Sequence, residues 1–511
     1  MLVACGGASS PEGSGTSGGS SGGGSGSRSA GSIAATSGAT GSSTTGTATT
    51  GSGSGAASAG AGGTGAGGGA TGAGGIGDHA ACAGQAKGTW YAMSSAGAPQ
   101  GSPDPRLFWT GTELLSYVAG AGALYAPCAD TWRASPLLGT RTWYVAPVPA
   151  ANLLLFFDPT IKPPSFIGFD YRQNQERGLS TTGTIAATLS TVVSTGATLI
   201  EWGGGIARAG GAGFDGTQQG GTYDPARDAW TPMSTTGAPA ARLAPAAWTG
   251  SSLVVWGGHA ADTHMVGMYQ YDCISNYSDV VSMCVQYGDG AMYDPARDAW
   301  TLMSETGAPK ARFEHLLAWT GDRVLVWGGG EQGSPDPTLA TPAKQWLADG
   351  GLYDPVAKTW TAIPAVPVAN ASYMLSAYDV LWSGDRLFVL ENGTESGYLY
   401  DPPTNTWTSI PSPNQNQGCE RPAAAQAGGL VAVCTFGMDR DAVLLLPGET
   451  SWRTFPLPTG VAPGPGLLWT GKRLFVWGGT VPSTFSCPVG QMIGCDPPPP
   501  TYSDAGWVLE P

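Results

Sequence analysis

Long apolar runs are missing from this sequence, because polar, Gly or Pro residues interrupt every stretch of about 18 residues. Since a helix needs roughly 20 apolar residues in a row to cross a bilayer, we expect no membrane-spanning helix. Basic residues are also scarce, as 23 Lys and Arg stand against 37 Asp and Glu, giving a formal net charge of -14. Such a polyanion repels nucleic-acid phosphates, so we predict no nucleic-acid partner.

Histidine is rarer still, with four residues, of which His259, His264 and His315 lie beyond the first 80 positions. Beyond residue 76 the sequence has no Cys-x-x-Cys, His-Glu-x-x-His, Gly-x-Ser-x-Gly or phosphate-loop motif. Those arrangements bind zinc, activate a nucleophile or cradle phosphate. We therefore predict no metal site, no cofactor and no catalytic residue, and the sequence gives no ground for assigning an enzyme activity.

Large aromatic side chains are absent from the first 76 residues, and residues 6–76 consist almost wholly of Gly, Ser, Thr and Ala. Such a segment cannot bury enough apolar surface to offset its ordering entropy, so we expect a disordered linker. About 70 residues of this composition give a root-mean-square reach of roughly 45 Å.

Five residues precede this linker, and they end in Leu2-Val3-Ala4-Cys5, followed by Gly6. This resembles the lipobox of bacterial lipoproteins, in which the cysteine is lipidated and becomes the first residue. The basic and apolar regions of a full signal are missing, so residues 1–5 read as a truncated remnant of one. The resemblance implies an exported protein, anchored in the bacterial outer membrane, periplasmic or on the cell surface, that touches a membrane only through Cys5.

The eight remaining cysteines indicate an oxidising compartment, because their number is even and two pairs are closely spaced in loop-like segments. We predict disulfide bonds in four pairs: Cys273 with Cys284, Cys487 with Cys495, Cys419 with Cys434, and Cys82 with Cys128.

Residues 77–511 are organised by an internal repeat, the strongest signal in the chain. Residues 223–230 read Tyr-Asp-Pro-Ala-Arg-Asp-Ala-Trp, and residues 293–300 repeat the same eight. Upstream of most copies, a Trp-Thr-Gly turn leads into a short apolar run that ends in Gly-Gly, as in residues 248–258, 319–329 and 469–479. The two landmarks seven positions apart are Tyr125 and Trp132, Phe169 and Glu176, Tyr223 and Trp230, Tyr293 and Trp300, Tyr353 and Trp360, Tyr400 and Trp407, and Leu445 and Trp452.

One unit therefore predicts four β-strands, since β-branched and aromatic runs bounded by turn residues are strand signatures. Strand a ends at Thr-Gly, strand b runs into Gly-Gly, strand c ends at Tyr-Asp-Pro, and strand d carries the Trp. The double glycine with its spaced Tyr and Trp resembles the kelch repeat. That resemblance implies an all-β fold, a kelch-type β-propeller of four-stranded blades.

These seven strand-d landmarks and Trp90 make eight and predict eight blades, with seven as the alternative if the weak copy at Phe169 is irregular. The last unit stops after strand c, at residues 506–511, whereas residues 90–99 closely match the strand d and loop of residues 230–239. We therefore predict that the amino-terminal strand completes the last blade. Closing the ring in this way removes open sheet edges.

Strand direction alternates in such a blade, so the d–a and b–c connections share one face. Residues 205–220, 259–290, 330–349 and 480–503 are long b–c insertions, and long loops on a rigid scaffold commonly carry function. Arginines in or near the d–a connections supply donors suited to carboxylates or sugar acids, and Arg312 is followed by an acid and an imidazole. The candidate ligand-binding residues are Arg106, Arg242, Arg312, Glu314, His315 and Arg421. An arginine at this point of a kelch repeat often ties adjacent blades together, which is the structural alternative.

We expect a monomeric binding module of the cell envelope that recognises an envelope protein or a glycan through the b–c and d–a loops. The alternative is a propeller enzyme, an epimerase or lyase acting on an acidic sugar around Arg242, Arg312 and His315. The sequence does not distinguish these two, nor does it identify the ligand.

Overall fold

The computed structural model is an eight-bladed β-propeller whose one described helix is a 3-10 turn, Pro149–Ala151. The structure describes residues 86–102, 105–118, 121–135, 144–158, 165–185, 187, 190–207, 214–260, 264–266, 269–271, 285–332, 344–367, 378–391, 396–412, 429–434, 440–481 and 500–511. No helix in this described part is long and apolar enough to cross a membrane.

The blades follow one another along the chain, except that β1 (Trp90–Ala92) belongs to the last of them. Blade 1 contains β2 (Arg106–Trp109), β3 (Leu114–Val118), β4 (Ala121–Ala126) and β5 (Thr131–Ser135). Blade 2 contains β6 (Tyr144–Val148), β7 (Leu153–Asp158), β8 (Ser165–Asp170) and β9 (Gln175–Gly178). The weak second repeat is thus a complete blade, with Phe169 opposite Glu176, which confirms eight blades and excludes seven.

Blades 3, 4 and 5 each carry a two-stranded hairpin between strands b and c. Blade 3 contains β10 (Thr191–Ser194), β11 (Leu199–Trp202), the hairpin β12 (Gly205–Ala207) and β13 (Phe214–Gly216), then β14 (Gly220–Asp224) and β15 (Ala229–Pro232). Blade 4 contains β16 (Ala246–Trp248), β17 (Leu253–Trp256), the hairpin β18 (His264–Val266) and β19 (Tyr269–Tyr271), then β20 (Gly290–Asp294) and β21 (Ala299–Leu302). Blade 5 contains β22 (Leu316–Trp319), β23 (Val324–Trp327), the hairpin β24 (Gly330–Gln332) and β25 (Lys344–Trp346), then β26 (Gly350–Asp354) and β27 (Thr359–Ile363).

The last three blades complete the ring. Blade 6 contains β28 (Tyr378–Trp382), β29 (Leu387–Glu391), β30 (Gly397–Asp401) and β31 (Thr406–Ile410). Blade 7 contributes three described strands, β32 (Leu430–Cys434), β33 (Asp441–Leu445) and β34 (Arg453–Pro456). Blade 8 contains β35 (Gly466–Trp469), β36 (Leu474–Trp477), the hairpin β37 (Thr480–Val481) and β38 (Thr501–Tyr502), then β39 (Gly506–Leu509) and β1.

Ring closure occurs in blade 8, as predicted. Strand β1 pairs antiparallel with β39, so that Trp90 lies opposite Leu509 and Ala92 opposite Trp507. The Gly88 N–H donates to the Glu510 carbonyl at 2.7 Å, which continues the pairing beyond the strand. The first and last strands of the fold are therefore held in one sheet by backbone hydrogen bonds.

The core lies between the blades rather than at a single centre. Eight clusters of buried apolar side chains each draw residues from two consecutive blades, including blades 8 and 1. The a strands of blades 8 and 1, of blades 2 and 3, of blades 3 and 4, and of blades 4 and 5 contact one another, which places strand a innermost around the axis. Because every face of every blade is covered, strands such as β17 and β36 are apolar and buried along their whole length.

The repeated Tyr and Trp explain how neighbouring blades are joined. Tyr293 and Trp300 are direct register partners on strands c and d, with ring centroids 5.2 Å apart. The Trp300 indole N–H then donates to the Ser234 carbonyl of the preceding blade at 2.8 Å. Equivalent bonds join Trp132 to Ser94, Trp230 to Ser180, Trp360 to Ser304, Trp407 to Pro364 and Trp452 to Pro411.

An aspartate five residues after the Tyr makes a second bond across the same seam. Asp298 has a positive φ of 50°, and its Oδ1 accepts from the Tyr293 hydroxyl and from the Ser234 backbone N–H, both at 2.7 Å. Asp228 and Asp130 do the same in blades 3 and 1. One carboxylate therefore satisfies a hydroxyl of its own blade and a backbone group of the neighbour.

Asp298→Ala should destabilise the propeller by about 1–2 kcal/mol, because it removes a shared acceptor and leaves two donors without it. Lys358 is the matched control, since it occupies the same left-handed position in blade 5 (φ 57°) without a carboxylate. Urea unfolding followed by Trp fluorescence measures both variants. Equal midpoints for Asp298→Ala and Lys358→Ala would contradict a role of the carboxylate in the seam.

Candidate functional site

The d–a and b–c connections of a blade lie on one face of the ring and contact each other. In blade 4, Leu243 and His259 exchange backbone hydrogen bonds of 2.9 and 3.0 Å, and in blade 5 Phe313 and Gly330 exchange bonds of 3.0 and 2.9 Å. We call this side the hairpin face, because it carries the hairpins β12–β13, β18–β19, β24–β25 and β37–β38. The opposite side, with the a–b and c–d turns, is the turn face.

Each hairpin falls within one of the four insertions that the sequence indicates. The double glycine at the end of strand b allows the chain to leave its blade there. Gly258 has a φ of 89°, and a Cβ at this position would lie 2.1 Å from the Leu243 carbonyl oxygen. Only glycine fits so close an approach of two backbones at that dihedral.

Arg242 is fully buried at the base of the blade 4 hairpin. Its guanidinium binds Asp289 through both terminal nitrogens, at 2.8 and 3.0 Å, and lies 3.8 Å from the centre of the Tyr287 ring. Asp289 immediately precedes strand c of the same blade. The side chain therefore joins two connections within one blade, whereas the Arg242 carbonyl accepts the Gly204 N–H of blade 3 at 3.2 Å.

Arg312 repeats this arrangement in blade 5. Its guanidinium is fully buried and donates to Asp349 Oδ1 at 2.9 Å, to the Asp349 carbonyl at 2.9 Å and to the Gly328 carbonyl at 3.0 Å. Burial lowers the pKa of the guanidinium, and the nearby Asp349 carboxylate opposes that shift. The guanidinium groups of Arg242 and Arg312 thus donate their hydrogen bonds within their own blades.

Arg106 does not repeat this position. Arg106 lies within strand a of blade 1, opposite Tyr117, with an exposed side chain. The equivalent of Arg242 and Arg312 in that blade is Ser102, whose carbonyl accepts the Gly479 N–H as theirs accept glycine N–H groups. Arg421 lies outside the described residues.

Glu314 and His315 follow Arg312 but lie in different surroundings. Glu314 adopts a left-handed φ of 54° and is half-buried. His315 is buried edge-on against Trp256, with ring centroids 5.3 Å apart. Burial, and then the charge of Arg312, lowers the pKa of His315 to about 3. A buried neutral imidazole of this kind fills a seam and does not reach a ligand on the surface.

Glu201 is a buried acid that the sequence reasoning missed. It stands in strand b of blade 3, where blades 4, 5 and 8 have Val255, Val326 and Val476. Its Oε1 accepts from the Ser190 hydroxyl at 2.7 Å, while Oε2 is buried without a partner. Burial raises the pKa of Glu201 to about 7, and the Ser190 hydroxyl opposes the shift. A lone acid within an otherwise apolar strand was the signal available in the sequence.

Two of the predicted disulfide cysteines lie among the described residues. Cys128, in the c–d turn of blade 1, and Cys434, at the end of β32, are both disulfide-bonded. Their predicted partners Cys82 and Cys419, and the cysteines at 273, 284, 487 and 495, lie outside the described residues.

Large apolar side chains are exposed mainly on the hairpin face. Ile206 on β12, Val285 at the base of the blade 4 insertion, Val481 on β37 and Tyr502 on β38 are 37, 56, 40 and 36% exposed. Within the described residues two further large apolar side chains are exposed, Leu302 on a strand d and Val356 on the turn face.

Neither the protein-family models nor the curated proteins match this chain. Within the described part of the chain, no three His, Cys, Asp or Glu side chains are placed to hold a metal ion. The propeller is established by its strand pairing.

Asp349→Ala should destabilise the protein by about 3 kcal/mol, because it leaves the Arg312 cation buried without its counter-charge. Arg312→Met should cost less, since the Asp349 side chain is 49% exposed and water can solvate it. Asp322→Ala is the control, as it breaks an exposed pair of 3.8 Å and should cost under about 1 kcal/mol. Urea midpoints that rank Arg312→Met as the more harmful change would contradict this account of the buried cation.

Glu201→Val should stabilise the protein more at pH 8 than at pH 5. An acid whose folded pKa is raised contributes its full stability below its ordinary pKa near 4.5 and loses it as the pH rises through about 7. The difference between the two pH values should be on the order of 2–3 kcal/mol, measured from urea midpoints. Glu201→Gln, which cannot ionise, should show the same flattened pH dependence, and a variant that runs parallel to the wild type would refute the buried acid.

Proposed function

We propose that this chain is a kelch-type propeller, exported and held at the cell envelope by a lipid on Cys5, that binds a protein or a glycan through its hairpin face. Residues 6–76 serve as its linker and residues 77–511 as the binding domain, acting as a monomer. The observation that carries the proposal is the distribution of exposed apolar side chains, four of which lie on hairpins or their bases on one face. Exposed apolar groups gathered on one face mark interaction sites.

The bases of two hairpins are fixed by buried ion pairs, which supports a binding role. Arg242 with Asp289 and Arg312 with Asp349 connect the d–a loop to the residue before strand c, so both ends of an insertion are held to one blade. A binding surface whose supports are already rigid loses less conformational entropy when a partner binds.

The disulfides at Cys128 and Cys434 fit export, because such bonds persist in oxidising compartments and are rare in the cytosol of most organisms. The enzyme alternative places an acidic sugar around Arg242, Arg312 and His315. Both arginines are fully buried and already paired, so their donors are not available to an acidic sugar.

Ile206→Ser combined with Val285→Ser should weaken ligand binding at least about tenfold, because it removes two exposed apolar contacts from the hairpin face. The full-length protein is screened on a glycan array and on an array of bacterial envelope proteins, and hits are measured by surface plasmon resonance. Val356→Ser, 91% exposed on the turn face, is the matched control and should bind as the wild type does. Loss of binding in Val356→Ser alone would place the site on the other face and overturn the proposal.

A further inference from the structure

Glu201 is a buried carboxyl at the base of the blade 3 hairpin. Its side chain is 2% exposed, and it lies four residues before the start of β12. At the same register position of strand b, four other blades have a valine, namely Val255, Val326, Val389 and Val476. Blade 3 therefore carries a group that can ionise where these blades carry an apolar side chain.

The surroundings of Glu201 supply one polar partner and no cation. Its Oε1 accepts from the Ser190 hydroxyl at 2.7 Å, and its Oε2 is buried without a partner among the described residues. The register neighbours on strands a and c are Val192 and Gly221, neither of which can ionise. Leu199 lies on the same side of strand b and packs in an apolar cluster with Val148, Leu153, Leu155 and Leu179.

The other ionisable groups described near this strand lie at the turn-face end or on the hairpin itself. Tyr223 donates to Asp228 at 2.6 Å toward the turn face, where Arg177 also reaches the c–d turn of blade 3. Asp215 stands on β13, beyond the double glycine. No charge among the described residues therefore compensates an anion at Glu201.

Burial raises the pKa of Glu201 to about 7, and the Ser190 hydroxyl opposes the shift. Because burial disfavours the charged form, the carboxyl is neutral at slightly acid pH. At alkaline pH it becomes an anion in an apolar seam.

Strand b leaves its blade directly after Glu201. Gly203 and Gly204 have φ values of 72° and 90°. Their N–H groups donate to the Gln219 carbonyl at 2.9 Å and to the Arg242 carbonyl of blade 4 at 3.2 Å. These two bonds fix the direction in which β12 begins. Since a buried anion gains free energy by reaching water, its ionisation favours a movement of the strand end that weakens both bonds.

We propose that Glu201 is a pH-sensitive switch for the blade 3 hairpin. The protonated carboxyl accepts from Ser190 and leaves the end of strand b in place, whereas the anion destabilises the hairpin base, so that β12–β13 opens more often. This hairpin carries the exposed Ile206, so binding through the hairpin face should weaken as the pH rises. That consequence rests on the function proposed above, but the switch itself does not.

Hydrogen–deuterium exchange of the full-length protein, read by mass spectrometry on peptides from β11, β12 and β13, tests the switch. After correction for the intrinsic exchange rate, protection should fall about tenfold from pH 6 to pH 8, because the pKa is about 7 in the closed state and near 4.5 in the open one. The blade 4 counterpart, residues 253–260, has Val255 in place of the acid and should show no such fall.

Two variants remove the ionisable group. Glu201→Gln and Glu201→Val should give equal protection at both pH values. Asp322→Asn removes an exposed acid from the turn face and should keep the tenfold fall of the wild type. The infrared difference spectrum between the wild type and Glu201→Gln should contain the band of a protonated carboxyl at pH 6 and lose most of it at pH 8.

The outcomes separate the switch from the broader proposal. Equal protection of β11–β13 at both pH values, or the same fall in Glu201→Gln, overturns it. A similar fall in every blade also overturns it, because it would show a loss of global stability rather than the opening of one hairpin. None of these measurements uses a ligand, so binding at the hairpin face is decided separately by Ile206→Ser with Val285→Ser.

Discussion

The fold depends on the contacts that the indole of the strand-d tryptophan makes with the preceding blade. Its ring packs on the Tyr of its own blade, and in blades 1, 4, 5 and 6 also on the Trp that ends strand b of the preceding blade, at 4.6–5.7 Å. Its N–H donates to a carbonyl of that preceding blade. One side chain thus supplies apolar contact and a directed hydrogen bond across the same seam. A blade cannot satisfy both without its neighbour, so each blade that carries this Trp depends on the blade before it.

The spacing of these residues is why the fold could be predicted so fully. Tyr and Trp seven positions apart become opposite each other across strands c and d, and the same frame marks the strands even where a residue is replaced, as at Phe169 and Glu176. Closure by the amino-terminal strand followed from the similarity of residues 90–99 to residues 230–239. The spacing did not predict that a side chain five residues after the Tyr accepts a hydrogen bond from the Tyr hydroxyl at the seam. An Asp or Asn was nevertheless present at that position in several copies.

The candidate site was less accessible to sequence reasoning, because partners in a hydrogen bond are set by the folded path of the chain. Arg242 and Arg312 pair with residues 47 and 37 positions away, across insertions of different length. The signal in the sequence was an Asp directly before the Gly that opens strand c, at Asp289 and Asp349. It indicates a partner for the arginine only when strand c is known to lie beside the d–a loop. Arg106 is an arginine at a comparable place in the sequence of blade 1, but it lies in strand a and not in the d–a connection.

The two faces of the propeller differ in how far their connections repeat from blade to blade. On the turn face, the short turns repeat, and their Asp and Asn side chains accept hydrogen bonds from backbone N–H groups and Tyr hydroxyls. Substitution of these residues would remove those bonds. On the hairpin face, the seams use the double glycines and the backbone of the d–a loops, and the insertions differ in length from blade to blade. Four of the six large apolar side chains that are exposed in the described residues lie on this side, where the connections do not repeat from blade to blade.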